Sequence, residues 1–333
     1  DVTPFRSTGS HIHGTNGISS GLVPWLKIYN DLLVAVNQGG KRPGAGCAYL
    51  EPWHLDFEDF LNLRRNTGDE RLRCHDMNTA SWIPDEFMRR VQNEDVWYFF
   101  DPKDADLHDR FGDDFDKRYN ELCDQAEEGL ISNYRVTTAK DLWKKMLKVL
   151  FETSHPWNTF KDPCNIRYTN QHEGAVRSSN LCTEITLHTK PSEYHKGEKT
   201  KIGETAVCNL GSINVLNHLL EDGEIDFDKL KNSIHIAVRM LDNVIDINFY
   251  PTKEASNSNL RNRPVGLGVM GIHDVLHTKN ISIDSDEAVE WNNYFFEFYS
   301  REAILASSNL AKERGSYENY QGSLWSQNIF PID

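Results

Sequence analysis

The stretch Ser178-Ser179-Asn180-Leu181-Cys182-Thr183-Glu184-Ile185 holds the side chains best suited to chemistry. Asn180, Cys182 and Glu184 stand at i, i+2 and i+4. In extended backbone alternate side chains share one face, so an amide, a thiol and a carboxylate would enter one pocket. Leu181, Thr183 and Ile185 would then face the opposite side. Such a trio suits a polyhydroxy substrate. The amide can donate to hydroxyls and accept from them. The carboxylate can take a hydroxyl proton as a general base. The thiol can act as a nucleophile or, once oxidised by one electron, as a hydrogen-atom abstractor. A pattern this short also arises by chance. Cys208, in GETAVCNLGSIN, lies 26 residues further on in another short apolar run. From neighbouring strands or loops both thiols could reach one cavity, a redox-active thiol beside a reactive one. Two unrelated core cysteines are the plainer alternative.

These residues need elements to position them. Residues 1–21, rich in Gly, Ser and Thr, read as a long loop or two turns. A helix follows, with Ser19 or Ser20 as cap and Pro24 in its first turn. Trp25, Ile28, Tyr29, Leu32 and Val36 repeat at helical spacing, and Gly39-Gly40 ends the helix. GGKRPGAG (39–46) is a basic, flexible loop, and CAYLEPW (47–53) a short strand ending at Pro52. Residues 54–66 read as helical and 101–135 as charged, solvated helices. A helix over 141–153 places Leu142, Met146, Val149 and Leu150 on one face and ends at His155-Pro156. Residues 188–204 form an exposed excursion. Amphipathic helices cover 227–248 and much of 285–314, the latter capped by Gly315. Helices alternating with short apolar runs indicate an α/β class. No 20–50-residue repeat and no convincing linker divides the chain, so 1–333 reads as a single domain.

Composition narrows the function. With 333 residues and 38% hydrophobic side chains a large core is attainable, and no run of about 18 apolar residues predicts a membrane span. The net charge of −14 repels phosphate backbones at long range, so nucleic acid is not an expected partner. A small phosphorylated ligand held by a few Arg and Lys is compatible with that charge. The six cysteines show neither C-x-x-C pairs nor zinc spacing, which suggests reduced thiols and a cytoplasmic setting. Cys74, Cys123 and Cys164 read as bystanders. His11, His13, His54, His75 and His273 lack metal-ligand spacing, so no metal site is expected. Residues 266–271 (GLGVMG) fit G-x-G-x-x-G, with Asp284 and Asp286 downstream. The polar lead-in 256–264, containing Arg261, Arg263 and Pro264, argues against a buried strand before the glycines and hence against nicotinamide-dependent hydride transfer. The glycines are read instead as allowing close helix packing. Residue 1 is Asp and no signal peptide is visible, so the sequence reads as an internal or processed piece.

SSNLCTEI together with AVCNLGSIN resembles the large, catalytic subunit of class I ribonucleotide reductase. RSTGSHIHGTNG (6–17) resembles its first specificity loop, and NQGGKRPGAGCAYLEPWHLD (37–56) the second with the strand after it. LNLRRNTG (61–68), MNTASWIPDEFMRRV (77–91), KDPCN (161–165), INFYP (247–251), RPVGLGVMGIHDVL (263–276) and LAKERGSYENYQGS (310–323) match in order. The resemblance implies part of a ten-stranded α/β barrel of two half-barrels. It would be one catalytic domain incomplete at both ends, with effector loops in 1–50 and the active-site cysteines in 178–215. Cys182, on a loop in the barrel centre, would as a thiyl radical take the 3′ hydrogen of a ribonucleoside diphosphate. Glu184 would deprotonate the 3′ hydroxyl and assist loss of the 2′ hydroxyl as water. Asn180 would bond the substrate hydroxyls, Ser179 would line the pocket, and Cys208 would supply one of two electrons.

The resemblance also implies deoxynucleotide or ATP effectors with Mg at loops carrying Arg6, Gln38, Lys41 and Arg42. There, amides and cationic side chains can hold phosphate. No cofactor would be bound covalently, since a metal-containing small subunit would supply the radical. Thioredoxin or glutaredoxin would be the reductant, and large subunits would pair as a homodimer. A second redox cysteine would lie before residue 1. A phosphate-binding loop, the radical-relay tyrosines and tail cysteines would lie after residue 333. The piece alone would therefore not turn over, and companion chains would carry the rest if the gene is split. A non-catalytic nucleotide-binding fragment and a class II, adenosylcobalamin-dependent reductase are the alternatives, and intact Asn180, Cys182 and Glu184 weigh against the first of them.

Overall fold

In a computed structural model that describes residues 1–37 and 39–330, the chain groups into two units, Asp1–His188 and Thr189–Ile329. The first holds β1 (Thr8–Ile12), β2 (Gly17–Ser20), α1 (Leu22–Ala35), β3 (Cys47–Leu50), α2 (Phe57–Leu61), β4 (Asn78–Ile83) and α3 (Asp85–Asn93). It continues with β5 (Val96–Phe100), α4 (Gly112–Glu127), β6 (Tyr134–Thr138), α5 (Ala139–Thr153), β7 (Trp157–Phe160) and α6 (Lys161–Ile166). β3, β4 and β7 form a parallel sheet in that order, Tyr49 opposite Ala80 and Ser81 opposite Asn158. Parallel strands need crossovers; α2 and α3 share a core with one face of the sheet (Ala48, Leu50, Ile83), and Tyr168 and Val176 pack with the other (Tyr49, Ala80, Trp82), so β4 is buried from Thr79 to Ile83. β5 and β6 pair antiparallel, and Phe87, Trp97, Tyr119 and Phe115 fill the core beside them.

The segment before α1 is a hairpin of β1 and β2, His11 opposite Ile18, where a loop or turns were expected. Its few apolar residues hide the strand signal. The helix itself forms, with Pro24 in its first turn, but Gly21 at its start offers no side-chain cap. Ser19 instead accepts the Gly21 N–H at 3.1 Å. α1 buries Leu22, Leu26 and Asn30, whereas Trp25 (53% exposed), Ile28 (61%), Tyr29 and Leu32 face water. The helical spacing was legible; the side it faces was not. α1 stops at Ala35, because Gly44 N–H donates to Val36 O at 2.7 Å and the 39–46 loop folds back on the helix end. A Cβ on Gly44 would collide with the Leu33 and Val36 carbonyls.

Of the helix expected at 54–66 only α2 forms, and 101–135 contributes α4, which buries Phe115, Tyr119 and Leu122. α5 is capped by Thr138 Oγ1, which accepts Asp141 N–H, and turns Leu142, Met146 and Val149 inward.

The second unit begins with the exposed antiparallel hairpin β8 (Glu193–His195) and β9 (Glu198–Lys201), at the expected excursion. β10 (Leu210–Asn214) precedes α7 (Phe227–Ile247) and α8 (Lys253–Asn262). β11 (Gly266–Met270), α9 (Ile272–Thr278) and α10 (Asp286–Arg314) follow. β10 and β11 are parallel, Leu210 opposite Gly266 and Ser212 opposite Gly268. The G-x-G-x-x-G stretch is thus itself the strand, not a turn after one. Gly266 and Gly268 lie against Leu210 and Ser212 of β10, rather than against a helix as expected. Asp226, Thr252 and Ser285 cap α7, α8 and α10. α7 and α10 bury Leu230, Ile234, Val238, Phe295, Tyr299 and Ala306 in one core. Among the described residues no closed barrel is present, and no helix is long and apolar enough to cross a membrane.

One polar interaction crosses the core of the first unit. Lys161, at the start of α6, is fully buried, and its Nζ donates to Glu51 Oε1 and Oε2 at 2.8 and 2.9 Å. It also donates to the carbonyls of Leu107 (3.0 Å) and His108 (3.2 Å). Trp53 Nε1–H completes the set at Glu51 Oε2, 2.7 Å. Burial pushes the Glu51 carboxyl up, and the adjacent ammonium opposes that shift. Lys161→Met leaves this carboxylate without its cation and is expected to destabilise the protein by about 3 kcal/mol. Thermal unfolding of the variant checks this, and an unchanged melting temperature contradicts it.

Candidate functional site

Burial sorts the six thiols. Cys74 and Cys123 are buried and Cys47 and Cys164 half-buried, while Cys182 and Cys208 are exposed. Burial pushes Cys74 up to about 11 and Cys47 and Cys123 up to about 12, and it raises Cys164 as well. Those four stay protonated and poorly reactive. The two cysteines singled out by the sequence motifs are the two that a reaction partner can reach.

Cys182 lies in the first unit, in a segment without regular secondary structure that follows α6. The extended alternation expected for 178–185 is replaced by a tight turn. Thr183 N–H donates to Asn180 O at 3.4 Å, and Thr183 has φ 70°. This i to i+3 closure puts Leu181 and Cys182 in the two central positions. Asn180 Oδ1 accepts the Ile185 N–H at 3.1 Å, so this side chain holds the two arms of the turn together. Ser179 Oγ donates to Ile185 O at 2.6 Å across the same base. The turn breaks the period-2 geometry because local side-chain bonds from Asn and Ser compete with an extended course.

The three side chains remain close in sequence on this changed backbone. Cys182 and Glu184 are exposed, two residues apart on the turn. Among the described residues the Glu184 carboxylate has no hydrogen-bond partner and the Asn180 amide nitrogen donates to none. A free donor, an accessible thiol and an unpaired carboxylate thus occupy one short turn. Beneath it lies Tyr49 of β3, whose hydroxyl donates to Asn180 O at 2.8 Å. Burial raises this phenol well above its ordinary range, so it stays a donor. Upstream, Asn165 pins the segment through Val176, donating to Val176 O (2.9 Å) and accepting Val176 N–H (2.7 Å).

The expected effector residues lie on two loops of the same unit. Arg6 is exposed, and its guanidinium donates to His11 O at 3.3 Å across the base of the β1–β2 hairpin. The hairpin stands on a polar clamp that sequence reasoning missed. Asp56 accepts the N–H of Thr8 (3.0 and 3.1 Å) and of Leu22 (2.9 Å), anchoring β1 and the start of α1 together. His54, buried and held neutral by that burial, donates from Nε2 to Phe5 O (2.8 Å) and accepts Asp56 N–H at Nδ1 (3.0 Å). Ser7 donates to Asp101 at 2.5 Å. The WHLD residues carried the family resemblance, but their spacing alone does not announce a clamp. Lys41 and Arg42 are exposed in the second loop, closed by a bridge between Asn37 and Pro43. Gln38 lies outside the described residues.

Cys208 belongs to the second unit and immediately precedes Asn209. That residue is 5% exposed, donates from Nδ2 to Pro264 O (2.9 Å) and accepts Gly266 N–H at its carbonyl (2.9 Å). These bonds fix the start of the β10–β11 pair, so the accessible thiol stands beside a rigid strand end.

An accessible cysteine shares a turn with an amide and lies two residues from a carboxylate, and the turn is tied to the parallel sheet through Tyr49. The family model for the ribonucleotide reductase barrel domain matches residues 1–333, and the chain belongs to that family. It is 55% identical to the ribonucleoside-diphosphate reductase subunit alpha of Chlamydia muridarum, an alignment covering all of this chain and 31% of that protein. Against the subunit alpha of Helicobacter pylori it is 41% identical, covering 47% of that protein. Against the large chain of Neurospora crassa it is 42% identical, covering 34%. The chain therefore spans 31% to 47% of the length of these relatives.

Replacing Asp56 with Ala removes the acceptor for two amides at once. Amide exchange at Thr8 and Leu22 is expected to accelerate about tenfold, with a loss of about 1 kcal/mol in stability. Hydrogen-exchange mass spectrometry over residues 7–22 is the check, and unchanged protection there rejects the clamp.

Proposed function

We propose that this chain is the central part of the catalytic subunit of a ribonucleoside-diphosphate reductase, reducing ribonucleoside to deoxyribonucleoside diphosphates. The observation that carries the reading is the exposed Cys182 on a turn shared with an unpaired Glu184 and a free Asn180 amide. Membership of the barrel-domain family supports it. In this reading both units belong to one catalytic domain, a portion of the ten-stranded barrel, with the Cys182 turn inside it.

The roles are those that the family resemblance implies, and the side-chain types are compatible with them. Cys182 Sγ, after losing a hydrogen atom, takes the 3′ hydrogen of the substrate. Glu184 accepts the 3′ hydroxyl proton and assists departure of the 2′ hydroxyl as water. Asn180 donates to the substrate hydroxyls and Ser179 lines the pocket. Cys208 and a second thiol supply two electrons and become a disulfide. The radical comes from a metal-containing small subunit, and thioredoxin or glutaredoxin restores the dithiol. Deoxynucleotide or ATP effectors with Mg act at the loops of Arg6, Gln38, Lys41 and Arg42, where exposed cations in glycine-rich backbone suit phosphate. A homodimer of large subunits fits the uncovered apolar face of α1. The cytoplasm is the expected setting, because the mechanism needs reduced thiols.

In the full-length subunit assayed with its radical-generating partner, Cys182→Ser is expected to abolish reduction and leave effector binding intact. Retained turnover overturns the assignment. Cys208→Ser is expected to permit at most a single turnover with a dithiol reductant. Normal steady-state rates in that assay remove Cys208 from the redox pair.

A further inference from the structure

The turn bearing Cys182 has few ties to the body of its unit. Among the described residues, the hydrogen bonds of residues 178–186 are the Thr183–Asn180 closure and the Asn180 and Ser179 bonds to Ile185. These lie within the segment, as does the 3.2 Å approach of Ser179 Oγ to Asn180 Oδ1. Each joins the turn to itself and leaves its position in the protein open. The remaining one, Tyr49 OH to Asn180 O at 2.8 Å, joins it to the sheet, and the Ser179 hydroxyl approaches the same phenol.

Tyr49 is built to hold a position. It is 1% exposed, its backbone is paired with β4 opposite Ala80, and its carbonyl accepts Val2 N–H at 3.0 Å. The ring packs edge to face on Trp82, centroids 5.9 Å apart at 79°. With two side-chain torsions, both restrained by packing, a tyrosine transmits the position of the strand to its hydroxyl at small entropic cost. The acceptor is the carbonyl that also closes the turn, so the phenol acts on the base of the turn two residues from Cys182.

We propose that Tyr49 is a positioning residue for this site: its hydroxyl, bonded to the Asn180 carbonyl, sets where Cys182 and Glu184 stand relative to a bound substrate. The inference rests on the reading of Cys182 and Glu184 given above. Tyr49 touches neither substrate nor the reacting atoms in it. The bond is worth most when thiol and substrate carbon must align, because small displacements of reacting groups slow the chemical step more than they weaken binding. Losing it is therefore expected to lower kcat and to spare KM.

The test uses the full-length subunit with its radical-generating partner and a ribonucleoside diphosphate as substrate. Tyr49→Phe keeps the ring and its packing on Trp82 and removes only the donor. It is expected to lower kcat about fivefold to tenfold, with KM and melting temperature close to those of the unaltered protein. Trp82→Phe loosens the packing of the ring and keeps the donor. It is expected to lower the melting temperature and to lower kcat by less than Tyr49→Phe does. Wild-type kcat in Tyr49→Phe overturns the proposal. So does a fall in kcat accompanied by a matching rise in KM and loss of thermal stability, which marks Tyr49 as a packing residue. Cys182→Ser, run alongside, separates the two levels. If Cys182→Ser turns over, the reading of the site fails. If it is inactive while Tyr49→Phe is normal, only the role of Tyr49 fails.

Discussion

A lysine ammonium with no access to water dictates how the first unit is assembled. Lys161 can be buried only if Glu51 and two backbone carbonyls reach it together, because an unpaired charge in that place costs several kcal/mol. The segment after β3 that carries Glu51, the helix that begins with Lys161 and the segment at 107–108 must therefore meet in one arrangement. Such a pair contributes little to net stability compared with well-packed apolar residues, but it penalises misassembled alternatives. What it fixes in space is the stretch from β3 to α2, and that stretch has two neighbours. On one side Tyr49 reaches the turn of Cys182; on the other His54 and Asp56 hold the base of the β1–β2 hairpin. One buried segment supports both the loop with the exposed Cys182 and the loop with Arg6.

Much of this was legible in the sequence where periodicity is strong. α5, α7 and α10 lie where their apolar repeats place them, and the structure adds Thr138, Asp226 and Ser285 as their caps. The strand at Cys47 and its end before Pro52 were equally plain. Orientation was harder. The apolar stripe of α1 has core-like spacing and faces water, because periodicity reports that a helix has two faces and not what covers them. The hairpin at 8–20 escaped notice because its strands carry Gly, Ser and Thr in place of branched apolar residues. At the site the backbone course was not legible. Asn180, Cys182 and Glu184 were read as alternating along a strand, whereas the Asn and Ser side chains fold the segment into a turn. Tyr49 was invisible as a participant, since its partner is a backbone carbonyl 131 residues away.

The second unit solves a different problem with less. Its parallel pair has only two strands, and glycines of β11 stand where side chains would meet Leu210 and Ser212 of β10. Two long helices make the core beside it, and Asn209 ties the beginning of β10 to β11, so the residue before it, Cys208, is held although it is exposed. Cys208 adjoins backbone held by Asn209, and the Cys182 turn is tied to its unit through the Tyr49 hydroxyl. That is the condition for a cysteine to be accessible and still point in a defined direction.

The uncovered face of α1 has a consequence for optics. Trp53, Trp82 and Trp97 are sealed in the interior, with indole rings in surroundings of low polarity, whereas Trp25 stands half in water. Its ring lies 6.1 Å from that of Phe5, just before the hairpin. Indole emission moves to shorter wavelength when water leaves the ring, and Trp25 is the most exposed of the described tryptophans, with Trp143, Trp157, Trp291 and Trp325 half-buried. Covering α1 is therefore expected to move the Trp25 share of the emission to the blue, over a background from those four.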